Sequence, residues 1–348
     1  MSGKIVTFGE VMLRLKAPGY ERLLQSPMFE ATFGGGEANV AVSLSKFGLS
    51  AAFVTALPAN PIGDACVEFL RGKGVDTTMI LRRGERMGLY YLEAGADQRP
   101  SKVVYDRSHS AIAEAAPEAF DWDKILEGAT WFHVTGITPA LSASAAELAL
   151  VGMKTARKKG ITVSCDYNYR RNLWKYGKKA PEVMPELVRH ADVGIANEED
   201  CQLALGIDAE VDGSAIRAPV AAIDSAKYKR VCERVLEAFP NLRLQAITLR
   251  ESHSANSNGW SACLHNRKQF QASTHYDVND IVDRVGTGDA FSAGLIYGLS
   301  TGSTDREALE FAVAASCLKH SVPGDMNFSS VEEVRRLMAG GGSGRIER

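Results

Sequence analysis

The sequence has few of the features that mark several large classes of protein. No window approaches the roughly 20 apolar residues of a transmembrane helix, and the apolar stretch within residues 4–10 is too short for a signal peptide. The six cysteines form no Cys-x-x-Cys pair and stand at no zinc-type spacing with a histidine. We therefore expect a cytoplasmic protein with buried, reduced thiols.

The sequence also has no large excess of positive or negative charge. Forty Lys and Arg residues stand against 42 Asp and Glu residues, for a formal net charge of −2. No global field attracts nucleic acid or an anionic membrane surface, so we expect neither as a partner. Local charges must capture any anionic ligand.

The 348 residues have the composition of an ordinary soluble protein, with 45% hydrophobic residues. Strand-like and helix-like segments alternate, which predicts an α/β fold with a doubly wound, mostly parallel sheet. The predicted strands are residues 5–8, 52–55, 131–134, 161–165, 193–196 and 244–249, and the predicted helices are residues 38–47, 62–73 and 143–159. In such sheets, ligands bind beyond the carboxyl ends of the strands.

Residues 88–93 and 102–106 interrupt this alternation and read as a hairpin. With residues 11–16 and 28–33, the hairpin predicts a small antiparallel sheet that covers the site as a lid. Residues 207–226 read as a surface insertion of unknown role.

The strongest local signal is Gly286-Thr287-Gly288-Asp289, directly before an amphipathic helix that runs to about residue 299. Glycines at a helix start let backbone amides approach an anion, and the helix dipole favours negative charge there. Asp289, in the first turn, is placed to accept a proton from a hydroxyl that attacks a phosphate. Taken alone, the four residues fit equally a helix start with an acidic first turn and no ligand.

A second cluster, residues 34–39, reads Gly-Gly-Gly-Glu-Ala-Asn and also precedes a helix. It lacks the Gly-Lys-Ser/Thr of a Walker A motif. The first strand is followed by no Gly-x-Gly-x-x-Gly, which counts against an NAD-dependent oxidoreductase.

Together, the two clusters resemble the two signatures of the ribokinase-like (PfkB) carbohydrate kinase family. Within it, the chain most closely resembles 2-keto-3-deoxygluconate kinases, on residues 8–15, 98–107, 166–174 and 247–252. The resemblance implies one kinase domain over residues 1–338, with lid segments at about 11–34 and 87–108. A mobile tail would follow at residues 339–348.

The resemblance also implies a set of site residues. Asp289 would be the catalytic base, and Gly286, Thr287 and Gly288 would hold the transferring phosphate. The sugar acid would be bound by Gly34, Gly35, Asn39, Tyr90, Tyr105, Arg107, Arg170 and Asp283. Two arginines suit a carboxylate, because a planar guanidinium binds it bidentately. For either arginine alone, a structural ion pair is the competing interpretation.

ATP with Mg²⁺ is the implied phosphoryl donor. Asn197, Thr248 and Arg250 would contact the nucleotide, with Arg250 standing where many members of the family have glycine. Residues 197–200 resemble the family's Asn-x-x-Glu motif, so Asn197 and Asp200 would hold Mg²⁺ through water, with Asp200 in place of Glu. The alternative for these residues is a helix N-cap. Residues 322–324 resemble a loop near the adenine and a site for a monovalent cation such as K⁺.

We expect phosphorylation of the terminal hydroxyl of 2-keto-3-deoxygluconate. The alternatives are a fructokinase or other neutral-sugar kinase, and a non-catalytic sugar sensor of the same fold. The open edge of the lid predicts a dimer or higher homo-oligomer.

Overall fold

The computed structural model describes residues 3–197, 199–208 and 225–341. Most of the predicted insertion and most of the predicted tail lie outside these residues. Within the described part of the chain, no helix has the length and apolar character needed to cross a membrane.

The strands are β1 (Lys4–Phe8), β2 (Met12–Lys16), β3 (Glu30–Gly34), β4 (Ala51–Val54), β5 (Ala56–Leu57), β6 (Leu81–Arg82), β7 (Gly88–Glu93), β8 (Lys102–Asp106), β9 (Ala129–Thr135), β10 (Thr162–Asp166), β11 (Val193–Asn197), β12 (Leu244–Ser252), β13 (Asn258–His265), β14 (Phe270–Ala272) and β15 (Tyr276–Val278). The α-helices are α1 (Gly36–Lys46), α2 (Pro61–Gly72), α3 (Trp122–Ile125), α4 (Ala143–Lys158), α5 (Ala180–Val188), α6 (Asp200–Leu205), α7 (Ser225–Ala238), α8 (Thr287–Ser300), α9 (Asp305–Lys319) and α10 (Val331–Met338). Every predicted strand and helix occurs, with ends that differ by at most three residues.

The large sheet has the order β14-β13-β12-β11-β10-β9-β1-β4, and β15 also pairs with β13. The strands from β12 to β4 run parallel, whereas β13 pairs antiparallel with β12, β14 and β15. From β1, the chain goes to β4 on one side and later adds β9 to β12 on the other. This reversal of direction between β1 and β9 opens a crevice at the carboxyl ends of the strands, where ligands of open α/β sheets bind.

Two hydrophobic layers cover the sheet. Alternate side chains of a strand point to opposite faces, so Val6 and Phe132 belong to one layer while Ile5 and Trp131 belong to the other. Helices α4, α5 and α7 contribute to the first layer, and α1, α2, α8 and α9 to the second. Helices on both faces confirm the doubly wound, mostly parallel fold.

The lid is a four-stranded sheet in the order β3-β2-β7-β8. Its outer pairings are antiparallel as predicted, and the central pairing of β2 with β7 is parallel. The register places Arg14 opposite Tyr90, and Tyr90 opposite Tyr105, across three neighbouring strands. The lid therefore presents a row of polar and aromatic side chains.

All six cysteines are free thiols. Five are buried as predicted, whereas Cys317, in the last turn of α9, is only half-buried.

Candidate active site

A cavity of about 320 Å³ lies between the carboxyl ends of the strands, the start of α8 and the lid. Most of the predicted site residues line it: Gly35, Asn39, Tyr90, Tyr105, Arg107, Arg170, Asn197, Asp200, Thr248, Arg250, Gly286, Thr287, Gly288 and Asp289. Segments that are far apart in the sequence thus meet in one space.

The start of α8 has the backbone geometry of an anion site. The first amides of a helix have no partner within the helix, and the N-cap here is Gly286, with no side-chain capping bond. Gly286 has φ +82°, and a Cβ there would lie 1.8 Å from the carbonyl oxygen of Asp325, so both conformation and space require glycine. At Gly288, a Cβ would meet no atom within 4 Å. The amides of this turn are therefore accessible to a negatively charged group.

Asp289, in the first turn of α8, is partly buried in the cavity wall. Asn39 Nδ2 donates to Asp289 Oδ2 over 2.7 Å, and the amide of Gly35 donates to Asn39 Oδ1 over 3.3 Å. The two glycine clusters of the sequence are thus joined through Asn39. Burial raises the pKa of Asp289 to about 6, although the bond from Asn39 and the positive charge of Arg170 act in the opposite direction.

A buried ion-pair network, which we call the lid clamp, connects the lid to the loop before α8. Arg14 pairs with Asp283, and its Nη1 lies 2.5 Å from Asp325 Oδ1. Tyr90 Oη donates to the same Asp325 oxygen over 2.5 Å. Sequence reasoning missed Arg14 and Asp325, although Arg14 lies in residues 8–15, one of the stretches that carry the resemblance.

Gly34 and Asp283 lie behind the cavity wall rather than in it, so their positions do not support the prediction that they bind the sugar. The Asp283 carboxylate is engaged by Arg14 and by the amides of Val285 and Gly324, at 3.0 and 3.1 Å. A Cβ at Gly34 would lie 2.1 Å from Asp325 Oδ2. Asp283 is therefore held by polar contacts, and Gly34 by close packing against Asp325.

Arg107 lines the cavity but already has a partner. Its Nε donates to Glu10 Oε2 over 2.7 Å, and Ser110 Oγ donates to Glu10 Oε1 over 2.6 Å. The guanidinium also lies 5.2 Å from the ring centroid of Tyr105. The structural ion pair is therefore present, and two of the five N–H donors of Arg107 are used in it.

Arg170, by contrast, is exposed, and its Nη1 donates to the carbonyl of Tyr169 over 3.0 Å. It faces three carboxylates, of Asp166, Asp200 and Asp289, and its charge lowers the pKa of each. Burial nevertheless raises the pKa of Asp166 well above its ordinary value. Asp166 lines the cavity at the end of β10 and is a site residue that the sequence reasoning did not single out.

Asn197 and Asp200 form a helix cap. Asn197 Oδ1 accepts hydrogen bonds from the amides of Glu199 and Asp200, and the Asp200 carboxylate accepts from the amides of Asn197 and Tyr169. Residue 198, which belongs to the same motif, is outside the described residues. Among those described, no group of three or more His, Cys, Asp or Glu side chains has the arrangement of a metal site. Asn197 and Asp200 therefore fit Mg²⁺ only if most of its ligands are waters and phosphates. This is the usual way that proteins bind Mg²⁺ with nucleotides.

The far end of the cavity is lined by Thr248 and Arg250 of β12 and Trp260 of β13. The Arg250 guanidinium lies 5.3 Å from the centroid of the Trp260 ring. Arg284, another lining residue that the sequence reasoning missed, donates to the carbonyls of Ser254 and Ala255. This end combines two cations with a tryptophan that is almost fully buried.

One protein family, pfkB family carbohydrate kinase, matches the sequence over residues 2–231 and 257–332. The chain belongs to this family. A 2-dehydro-3-deoxygalactonokinase of Haloferax volcanii is 33% identical over 344 residues, which cover 99% of both chains.

Two solved structures extend the comparison. A 2-dehydro-3-deoxygluconokinase of Thermotoga maritima is 47% identical, with a TM-score of 0.90 over 97% of this chain and 99% of the other. A fructokinase of Xylella fastidiosa with bound ATP shares the fold at 22% identity, with a TM-score of 0.74 over 97% and 98% of the two chains. The kinase therefore transfers a phosphoryl group to an alcohol group of a carbohydrate, and the predicted family and fold are confirmed.

Proposed function

We propose that this kinase phosphorylates the terminal hydroxyl of 2-keto-3-deoxygluconate, with ATP as donor and Asp289 as general base. The observation that carries the proposal is the shared cavity wall, where Asp289 and the start of α8 face Arg170, Tyr105 and Arg107. One side suits a phosphate under transfer, and the other suits a sugar with a carboxylate. The name of the Thermotoga maritima relative supports the same acceptor.

In the proposed reaction, the substrate hydroxyl oxygen forms a bond to the γ-phosphorus while the bond from that phosphorus to the departing ADP oxygen breaks. The hydroxyl proton passes to Asp289. Because Asn39 holds Oδ2 of this carboxylate, we assign Oδ1 as the acceptor. The amides of Thr287 and Gly288 stabilise the charge on the transferring group, which is the main task of a protein in phosphoryl transfer.

We assign ATP to the end of the cavity lined by Thr248, Arg250 and Trp260, since aromatic and cationic side chains suit a nucleotide. Bound Mg²⁺ would neutralise charge on the phosphates. Asn197 and Asp200 would hold it through water, because the protein offers no set of direct ligands among the described residues.

The carboxylate of the sugar acid is assigned to Arg170 with help from Arg107. Arg170 is exposed to the cavity, and Arg107 keeps donors beyond those that bind Glu10. The hydroxyl of Tyr105, which is 39% exposed, adds a hydrogen-bonding group on the lid. Tyr90 is buried and its hydroxyl bonds to Asp325, so its ring contributes shape.

The name of the Haloferax volcanii relative supports a second acceptor, 2-keto-3-deoxygalactonate. The two sugar acids differ only in configuration at C4 and share the carboxylate and the terminal hydroxyl. Either sugar acid can therefore offer its carboxylate to Arg170 and Arg107 and its terminal hydroxyl to Asp289. We place the gluconate first because the relative that carries its name is more similar to this chain.

The test is a steady-state comparison of the two sugar acids and fructose by ADP release. We expect kcat/KM to be highest for the gluconate and on the order of 10²-fold lower for fructose, which leaves the arginines unpaired. A higher value for fructose would reject the sugar-acid assignment. Absence of ADP release with every acceptor would favour the sensor hypothesis.

Arg170→Ala probes the carboxylate assignment, and Arg171→Ala, at the exposed neighbouring position, is the matched control. We expect Arg170→Ala to raise KM for the sugar acid and to reduce its advantage over fructose by about tenfold. Arg171→Ala should leave unchanged both the KM for the sugar acid and its advantage over fructose. If Arg170→Ala preserved the preference, the carboxylate would have to bind elsewhere.

A further inference from the structure

Lys319 is a buried charged residue without a part in the proposed chemistry. It is the last residue of α9 and is 0% exposed. Its Nζ donates to the carbonyl oxygen of Val322 over 2.9 Å and to that of Asp283 over 3.4 Å. Because burial of an ammonium group is costly, this position calls for an explanation.

The surroundings of Lys319 are rich in carboxylates. Asp283, Asp325 and Asp289 all favour its charged form, and Arg14 opposes it. Burial lowers the pKa of Lys319 to about 8, against the effect of these carboxylates. These carboxylates and the two carbonyl acceptors favour the ammonium form of the side chain.

The same ammonium group connects the two loops that shape the anion site. Asp283 begins the loop that leads to Gly286, and Val322 begins the turn that leads to Asp325. These loops are in tight contact, since a Cβ at Gly286 would lie 1.8 Å from the carbonyl oxygen of Asp325. The Lys319 ammonium group thus joins the loop that leads into α8 to the turn that packs against it, through a carbonyl oxygen of each.

We infer that Lys319 is a positioning residue that supplies the fixed positive charge behind the anion site, so that the kinase needs no monovalent cation. Carbonyl oxygens beside carboxylates are the surroundings that also suit a bound K⁺ ion. The sequence reasoning assigned such an ion to residues 322–324, where the structure has an ammonium group of the chain itself. The inference rests on the proposed function, because it takes Asp289 and the start of α8 as the reacting centre.

Lys319 also acts on the catalytic base. Its charge lowers the pKa of Asp289, as does that of Arg170, whereas Asp325 raises it. A positioning role therefore predicts a change in the pH dependence of the reaction, which a purely structural role for Lys319 does not.

The first experiment uses the wild-type enzyme in a buffer of an organic cation, with added Na⁺, K⁺ or NH₄⁺ at constant ionic strength. We expect kcat to stay within about twofold across the series, since the site is already occupied by Lys319. Activation of several-fold by K⁺ would overturn the inference. The acceptor is the one that the wild-type enzyme prefers, so the result does not depend on 2-keto-3-deoxygluconate being that acceptor.

The second experiment compares Lys319→Met with Lys46→Met, the same change at an exposed lysine in the last turn of α1. We expect Lys319→Met to lower kcat by at least about tenfold and to move the acidic limb of the kcat profile to higher pH, because Asp289 loses a favourable charge. KM for the sugar should change little. A wild-type kcat together with an unmoved acidic limb would reject the role.

Lys319→Ala removes the ammonium group and leaves space behind the loops. K⁺, NH₄⁺ or a short alkylamine should then restore part of the lost kcat, while the same additions leave Lys46→Met unaffected. Folding of each variant is checked by circular dichroism. If neither Lys319 variant folds, the cation series on the wild-type enzyme still tests whether the kinase needs a monovalent cation, and several-fold activation by K⁺ would still overturn the inference.

Discussion

The amide of Asn39 is the side chain that turns two short glycine-rich segments into one site. Its oxygen accepts from Gly35 in the first segment, and its nitrogen donates to Asp289 in the second. This arrangement fixes which atom of the amide faces the carboxylate. It also leaves Asp289 Oδ1 outside this bond, as the proposed role of the carboxylate requires.

Replacing Asp289 tests the base directly. Asp289→Asn keeps the size of the side chain but removes its ability to accept a proton, so kcat should fall by about 10²–10⁴-fold. The measurement is ADP release at saturating substrates. Asp280→Asn, at an exposed position with φ +57° that asparagine tolerates, is the control. Near-normal turnover in Asp289→Asn would require another base.

The acidic limb of the pH profile should report the same carboxylate. The pKa of Asp289 is raised to about 6, and only the ionised form accepts a proton, so kcat/KM should fall as pH decreases through about 6. Asn39→Ala removes a bond that lowers this pKa, so the limb should move to higher pH in the variant. An unchanged limb would assign the titration to a different group.

At the scale of elements, the start of α8 offers two glycines with different requirements. Gly288 is in the first helical turn with open space beside it, whereas Gly286 has a left-handed conformation against the backbone of Asp325. Gly288 leaves room for a ligand. Gly286 allows the loop to turn.

Alanine substitution should separate these two functions. Gly288→Ala should keep the free energy of unfolding, yet lower kcat/KM by about tenfold or more, because its methyl group enters the phosphate space. Gly286→Ala should lower the free energy of unfolding by at least about 2 kcal/mol, because φ is left-handed and the Cβ collides with Asp325. Urea denaturation and steady-state kinetics measure the two effects. Equal loss of stability in both variants would contradict this division.

The lid clamp should account for much of the attachment of the lid. Arg14→Met leaves the carboxylates of Asp283 and Asp325 buried without their main counter-ion, so we expect a loss of about 3–5 kcal/mol in the free energy of unfolding. Arg83→Met, at an exposed position, is the control and should change it by less than about 0.5 kcal/mol. A similar small effect in both variants would show that the clamp contributes little.

Local patterns predicted the elements well, and they identified those residues of the cavity wall whose signals are local. The hairpin of β7 and β8 and the glycine–aspartate start of α8 were identified because their signals lie within a few residues. Strand β12 was predicted too short, because its last residues are held by antiparallel pairing with β13. Lys319 was not identified, since it ends an ordinary helix and gains its role only from folding.

At the scale of the whole molecule, Glu37 lies where the sheet changes direction. Its Oε1 accepts hydrogen bonds from the amide and hydroxyl of Thr135 and from the hydroxyl of Thr138. The carboxyl group also packs against Gly9, directly after the end of β1. The side chain is fully buried, which raises its pKa from 4.5 to about 7 despite these bonds. The carboxyl group is therefore protonated in the folded protein over a range where it is ionised in the unfolded chain.

This difference predicts a pH dependence of stability. Below pH 4.5 both states hold the proton. As pH rises towards 7, the unfolded chain loses it first, which lowers the free energy of unfolding by about 3 kcal/mol. Glu37→Gln should remove this part of the slope in urea denaturation, whereas Glu127→Gln, at an exposed position, should keep it. A slope unchanged by Glu37→Gln would place the proton linkage elsewhere.

The lid clamp has a consequence for how the protein is made. Arg14 and Asp325 are separated by 311 positions in the chain, so on the ribosome the arginine is synthesised long before either of its counter-ions. Chains are synthesised at about 5–20 residues per second, and domains fold as units, so the lid strands are without their anchor for some tens of seconds. Activity should therefore appear in a nascent chain only after residue 325 has left the exit tunnel.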